Sequence, residues 1–384
     1  MELRVFDTAL EPLGIVDEIA SLLWTIKYFD VGTFNLLAPV TDNNSNLLSM
    51  GNIIVKHDGK KEVEDGSGGI WRRAAQIMYV HITKDERGQE QIEAQGFMLS
   101  KWLSKRVVTP QLVTTATCQQ IISTLVANNC GANATTKRKF AQFTALTQAD
   151  LGGSSVDYSN ELYVDLGSEV KDVAVSGKLG YDILVNERDK LYGFYLYKGD
   201  DLTAGNSAGN PPCIFSRDFD NVNGQEYEDS IESYKNFTYV QGAADEAGTQ
   251  PVVTVDGGNK AGLELNEVFI DASDISRSYE SGGTSVPIPL NTYLAMLRTR
   301  GATELENYGE RMNFVSTINT ARNLRFKEDF NLGDRITCLE RSWGLRIDAR
   351  ITEVQEVYQK GQEEIQATFG ESLPTLVEKI KRVR

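Results

Sequence analysis

Two histidines, His57 and His81, and four cysteines, Cys118, Cys130, Cys213 and Cys338, are the residues of this 384-residue chain best suited to metal binding or nucleophilic chemistry. Both histidines fall in segments read as strands, His81 on the more polar face of its hairpin. Neither stands in HExxH or beside a cysteine at ligand spacing, so a structural role is the simpler reading. The cysteines are scattered without a CxxC, which fits reduced, buried thiols; a Cys118–Cys130 disulfide is the alternative. The segment DFDNVNGQEYED (218–229) opens as Asp-x-Asp, like a calcium loop. Its fifth position is Val222 and its glycine comes one place late, so a turn between strands competes with metal binding. Neither a GxSxG elbow nor GxxxxGK[ST] occurs. The glycine-rich EDGSGGIW (64–71) has no lysine and no helix signal after it, so a flexible loop is expected rather than a phosphate cradle. Paired carboxylates for glycoside hydrolysis meet in space and not in sequence, and 54 acidic residues give no basis for choosing two. The expected catalytic, cofactor-binding and metal-binding residues are therefore none, and no cofactor is expected.

The elements that would position any site read as mainly β with α+β parts. Thirty-three glycines against nine prolines favour many turns between short strands. LRVFD, the turn ALEPLG and IVDEIASLLWTIKYF suggest a hairpin and a further strand, with Gly32 at the next reversal. LLSMGNIIVKHD reads as a helical or turn piece running into a strand. AAQIMYVHITKDERGQEQIEAQGF reads as a hairpin turning at 85–88, with Met78, Val80 and Ile82 on one side and Ile92 and Ala94 answering. Thr117 with Gln120 fits a capping box before Ile121, Ile122, Leu125 and Val126. A helix over 168–178 takes Ser168 as candidate N-cap. A tyrosine-rich hairpin turns at 187–190, and TAGNSAGNPPC (203–213) has linker composition. Residues 242–283 read as long loops around one strand, VVTVD. Leu290, Tyr293, Leu294, Leu297, Leu305, Tyr308 and Met312 recur at helical spacing, with Gly301 marking a close approach. FNLGDRITCLERSWGLRIDARITEVQEVYQKGQEEIQATFG (330–370) reads as strand, turn, long strand, turn, strand. Its alternation through Leu345, Ile347, Ala349 and Ile351 slips a place at Val354, the mark of a bulge. The expected division is a β-barrel over 1–108, a helical and α+β segment over 109–202, and a second β-barrel over 203–384 with long loops at 242–283 and a helix at 290–312. Strand sharing between the barrels is left open.

Charge narrows the partners. Against 39 Lys and Arg stand 54 Asp and Glu, a formal −15, which argues against specific nucleic-acid binding because phosphates need a basic footprint. An acidic channel wall, by contrast, would repel DNA and keep it moving. The short basic runs TKRKF (136–140) and KIKRVR (379–384) are read as solvated faces, or else as docking points for an acidic neighbour. Tyr192, Tyr195 and Tyr197 are read as core and interface in preference to a sugar site. The start MELRVFDTALEPLG lacks a basic and apolar leader, and no run approaches the roughly 18 apolar residues of a membrane span, so neither export nor membrane anchoring is expected.

Several stretches in order resemble one family. FDTALEPLGIVDEIASLLWTIKYFDVGTFNLLAPV, LLSMGNIIVK, QIEAQGFMLSKWLSKRVV, YLYKGDDL, FSRDFDNVNGQEYEDSIESYKNFTYVQG and the closing meander are similar to the tail-tip and baseplate hub proteins of phages. These include the N-terminal hub region of tail-associated lysins and the T-even baseplate hub. The resemblance runs from about residue 3 to 380. It implies two β-barrel hub domains and a homotrimer whose six barrels adapt a six-fold tail tube or distal tail protein to a three-fold spike or fibre. A tape-measure protein in the channel, location in the virion or a phage-tail-like particle, and assembly in the host cytoplasm are implied with it. Lysin members continue into a peptidoglycan-cleaving domain. This chain stops at Arg384, so no enzyme activity is expected. A tail-associated peptidoglycan hydrolase and a receptor- or carbohydrate-binding tail module are the alternatives.

Overall fold

Leu3 and Val5, then Leu22, Trp24 and Ile26, stand at every second position of their strands, and in the computed structural model these side chains meet in one core. Residues 1–59, 63–64, 69–86, 88–146, 149–245, 247–281, 284–309, 311–319, 324–359 and 361–370 are described. Half of EDGSGGIW (65–68) and the whole of KIKRVR lie outside them. The chain begins with β1 (Glu2–Phe6), β2 (Pro12–Ile15), β3 (Ser21–Lys27), β4 (Thr33–Pro39), α1 (Asp42–Leu47), β5 (Ile53–His57), β6 (Val63–Glu64), β7 (Ile70–Lys84) and β8 (Glu90–Met98). It continues with β9 (Val113–Ala116), α2 (Cys118–Asn129), β10 (Phe143–Ala145), β11 (Val156–Ser159), α3 (Leu166–Gly177), β12 (Gly180–Asn186) and β13 (Leu191–Tyr197). Then follow β14 (Ile214–Ser216), β15 (Val222–Ser230), β16 (Phe237–Gly242), β17 (Val252–Asp256), β18 (Glu267–Ala272), β19 (Ser278–Ser281) and β20 (Thr284–Pro287). The last elements are α4 (Leu290–Asn307), β21 (Arg311–Ile318), β22 (Arg335–Glu340), β23 (Leu345–Gln359) and β24 (Gln362–Gly370). The protein is mainly β with a few helices attached, as the sequence led us to expect.

Antiparallel ladders link β2, β1, β5, β7, β8, β4, β3, β23, β24, β21 and β15 in that order. The two ends of the chain therefore join in one sheet, through seven residue pairs from Glu353↔Lys27 to Gln359↔Ser21. The two longest strands, β7 and β23, have 15 residues each and are built alike. Each carries a bulge near its middle, between Ile77 and Tyr79 in β7 and between Ile351 and Glu353 in β23. Each returns through a nine-residue partner, β8 or β24. The start of each reaches partners outside the main run: β7 pairs with β12 through Arg72 and Arg73, and β23 with β22, which continues in parallel to β14. The bulge expected from the slip at Val354 is thus present at Thr352. In the earlier hairpin Ile82 faces Ile92 and Val80 faces Ala94, but Met78 is the bulged residue and drops out of the expected row.

Three cores follow from these pairings. The largest combines side chains of both chain ends, Trp24, Tyr28, Phe34, Phe215, Phe314, Phe330 and Phe369 among them. A second joins α2, α3 and the β12–β13 hairpin, including Ile121, Val170, Tyr192 and Phe194. A third packs Tyr293, Met296 and Leu297 of α4 on Val240, Val253 and Ala272. Gly301 makes that contact possible: a Cβ there would lie 2.6 Å from Val240 Cγ2 and 2.9 Å from Val255 Cγ2.

The capping box of Thr117 and Gln120 forms as expected, and the tyrosine-rich hairpin turns where expected. Four local expectations are corrected. Asp165 caps α3 and accepts the Ser168 N–H, so Ser168 lies inside the helix; a carboxylate outcompetes a hydroxyl at the positive helix end. Helix α4 ends at Asn307, and Met312 belongs to β21, where ladder bonds to β15 and β24 replace helical ones. Residues 242–283 hold β18 and β19 as well as the expected VVTVD strand; β18 gains its order from pairing in parallel with β16, a long-range contact that composition does not reveal. The 203–213 stretch is a tied loop, with Asn206 Nδ2 donating to the carbonyls of Thr203 and Asn210 and the Ala204 N–H donating to Thr337 Oγ1.

Candidate functional site

His57 and His81 do not meet. His81 is exposed on the β7–β8 hairpin, 4.0 Å from Glu93. His57, at the end of β5, is half-buried and places Nε2 2.7 Å from Glu187 Oε1. Burial holds its imidazole below the ordinary value, while the Glu187 charge pulls the other way. It lines a cleft of about 950 Å³ with Arg4, Arg72, Glu187, Arg188 and Lys190. Arg4 lies 3.6 Å from Glu187, Arg72 3.4 Å from it, and Lys190 2.6 Å from Glu11. Arg4, Arg72 and Lys190 already face carboxylates of the same chain, and among the described residues no cysteine or serine lines the cleft.

A smaller cleft of about 270 Å³ separates α3 and β11 from α4. Tyr158 donates to Glu169 Oε1 at 2.5 Å, and Arg300 ties α4 to Asp274 at 2.9 Å. Burial raises the Glu169 carboxyl, and at the cleft mouth Asp172 is pushed up to about 6 by burial and by Glu169 and Glu304. These groups join the α4 unit to the helical unit.

The four cysteines are free. Cys118 opens α2 and Cys130 closes it, roughly 18 Å apart at 1.5 Å rise per residue, which rules out the disulfide alternative. Burial pushes the Cys130 and Cys213 thiols up to about 12. The 218–229 stretch is a single turn at Arg217–Phe219 followed by β15. Among the described residues no three His, Cys, Asp or Glu side chains gather as a metal site would need. Of the basic run at 136–140, Arg138 is a brace, donating to the Thr109 carbonyl at 2.9 Å and to Asn129 Oδ1 at 3.1 Å. Tyr192 and Tyr197 are core residues.

What the molecule builds with most care is the seam between its two ends. Lys56 Nζ on β5 donates to Glu356 Oε2 on β23 at 2.6 Å and lies 2.8 Å from Asp58 Oδ2. Tyr358 donates to the same Glu356 oxygen at 2.9 Å, and Lys327 answers Asp58 at 3.5 Å. The Lys56, Asp58 and Glu356 side chains are all under 5% exposed. Two cations and two carboxylates thus balance where an unpaired charge would be costly. Burial and the nearby Glu356 and Glu363 raise the Tyr358 hydroxyl, which keeps its proton for donation. Sequence reading missed this cluster. Its signal lay in the register: once the bulge is counted, Val354, Glu356 and Tyr358 share the inward face.

At the outer end of the main run, β15 pairs only with β21 among the described residues. It exposes Glu226, Glu228 and Asp229. Among the described residues the buried Oε1 and Nε2 of Gln225 have no hydrogen-bond partner.

Three solved structures share this architecture. A tail protein from Neisseria meningitidis MC58 is 12% identical at a TM-score of 0.57, over 97% of this chain and 96% of that one. The prophage MuSo2 43 kDa tail protein from Shewanella oneidensis is 12% identical at a TM-score of 0.55, over 96% and 98%. A prophage tail protein from Listeria monocytogenes EGD-e is 8% identical at a TM-score of 0.53, over 100% and 98%. No curated protein matches the chain. The family description that fits is that of the Siphovirus ReqiPepy6 Gp37-like proteins, over residues 2–371. With the fold of solved phage tail proteins and a family match over nearly its whole length, the chain belongs to the Siphovirus ReqiPepy6 Gp37-like protein family.

Proposed function

We propose that this protein is a structural, non-enzymatic hub subunit of a phage tail tip or baseplate, present in the virion or in a phage-tail-like particle. Three copies would form a ring of six similar β units that adapts the six-fold tail tube to a three-fold spike or fibre. The observation that carries the reading is the paired construction of β7 and β23. Each is a 15-residue strand with one central bulge and a nine-residue return, and each divides its length between two sets of partners. Two units of one design in a single chain suit a three-fold assembly that must present six similar faces. The domain division at about 108 and 202 belongs to this proposal, with the β3–β23 ladder as the element shared between units.

The open edge at β15 supports an assembled state. Edge strands invite pairing, and Glu226, Glu228 and Asp229 would oppose premature pairing of identical copies. The net charge of −15 suits a channel through which DNA or a tape-measure protein passes.

Light scattering on the purified chain, together with imaging of immunolabelled particles, tests the proposal. A trimer, or a monomer that trimerises as its concentration rises, with label on the tail axis at its tip, is the expected result. A monomer at every concentration with label off the axis would sink it. A muropeptide-release assay addresses the enzymatic alternative, and release above a heat-killed control would overturn the non-enzymatic part.

A further inference from the structure

The sheet β17–β16–β18 has one face covered and one open. Thr238, Val240, Val253 and Ala272 are buried on the side that packs against α4. On the other side register fixes a three-by-three grid. Phe237 lies between Asp256 and Glu267, Tyr239 between Thr254 and Phe269, and Gln241 between Val252 and Asp271. Phe269 is 59% exposed, Val252 53% and Tyr239 40%, so the apolar side chains lie in water. Three carboxylates occupy corners of the grid, and the three strands contain neither lysine nor arginine.

Asp256 and Asp271 are held ionised. Backbone N–H groups of Gly258 and Asn259 keep Asp256 below its ordinary value, and Ser273 does the same for Asp271. Glu267 accepts the Tyr239 hydroxyl at 2.9 Å. An aromatic centre with a charged rim is the composition of a protein interface, and a contiguous exposed apolar patch on a sheet marks a contact surface.

The geometry points to a docking surface for a different protein of the same particle, one that presents lysines and arginines around an apolar centre. The inference rests on the tail-subunit reading above. Local charge decides the occupant: the same face of a second copy would bring three more carboxylates to an acidic rim, whereas a basic surface complements it. A glycan is less suited, because the Phe237 and Tyr239 rings meet at 62° and offer no common plane for a sugar to stack on.

The test places photoreactive benzoylphenylalanine at Phe269 in assembled particles, with Met50, which is 73% exposed, as the control position. The expected result is a light-dependent crosslink from position 269 into a Lys- and Arg-rich stretch of another virion protein. The pair Asp256→Lys and Asp271→Lys should lower its yield per incorporated copy at least tenfold with an unchanged Tm, while Thr254→Ser leaves the yield alone. Loss of incorporation by the charge-reversed pair at wild-type Tm counts in favour. A crosslink to a second copy, to residues 371–384 of the same chain or to a glycan, or none beyond the control level in particles that contain the protein, overturns the inference alone. Absence of the chain from purified particles overturns both this inference and the tail-subunit reading.

Discussion

Lys56 touches two carboxylates and a phenol inside a core that admits little water. Removing it takes the 2.6 Å ammonium from the buried Glu356 carboxylate, whereas removing the pair leaves Asp58 still matched by Lys327. Lys56→Met should therefore cost about 3–5 kcal/mol, and Lys56→Met with Glu356→Leu should recover most of that. Denaturant unfolding of both variants measures it; equal losses in the two would show that the charge pairing is immaterial. His57 allows a second test, since only two histidines occur. Its value lies below 6.5, from burial first and against the pull of Glu187. A depressed folded value means that the unfolded chain takes the proton more readily. Stability from the neutral imidazole is thus full above pH 6.5 and is lost as pH falls through the depressed value. In an NMR titration His57 should have its midpoint below 6.5, and Glu187→Gln should move it lower still. A midpoint at or above 6.5 would contradict the assignment.

At the scale of elements, the bulge at Thr352 decides which way β23 faces. Ile351 and Val354 are both buried although three positions apart, because Thr352 is the extra residue. Deleting Gln355 would turn Glu356 and Tyr358 to the opposite face, and a one-residue slip moves every side chain beyond it. Deleting Thr352 would instead restore plain alternation, at the cost of the hydrogen bonds its carbonyl and hydroxyl make with the Tyr28 N–H and the Gly370 carbonyl. The Gln355 deletion should abolish cooperative melting. The Thr352 deletion should keep it, with a loss of about 2 kcal/mol. Similar circular dichroism melts for the two deletions would argue against the bulge as the setter of register.

At the scale of the whole molecule, charge governs assembly. Copies that each carry −15 repel one another, and salt screens exposed charges over about 10 Å at 0.1 M. Self-association should therefore strengthen between 50 and 500 mM NaCl, as read by sedimentation. Docking of a basic partner on the β16 face should weaken over the same range. Self-association that weakens with salt would place opposite charges, not like ones, across the subunit contact.

The sequence by itself determined the local elements whose signals are local. Alternation predicted the closing meander and its slip, the Thr117–Gln120 spacing predicted a capped helix, and Gly301 predicted a close approach. Ordered weak motifs pointed to the phage tail family. Local signals also misled where competition decided, as when Asp165 displaced Ser168 at a helix end and ladder bonds claimed Met312. Only the tertiary structure decided that β3 pairs with β23, that Lys56 meets a carboxylate 300 residues away, and that β16 to β18 present aromatics between acids. Those are contacts between segments distant in the chain. Periodicity says which face of a strand is apolar, but a strand's partner is chosen by the packing of the whole.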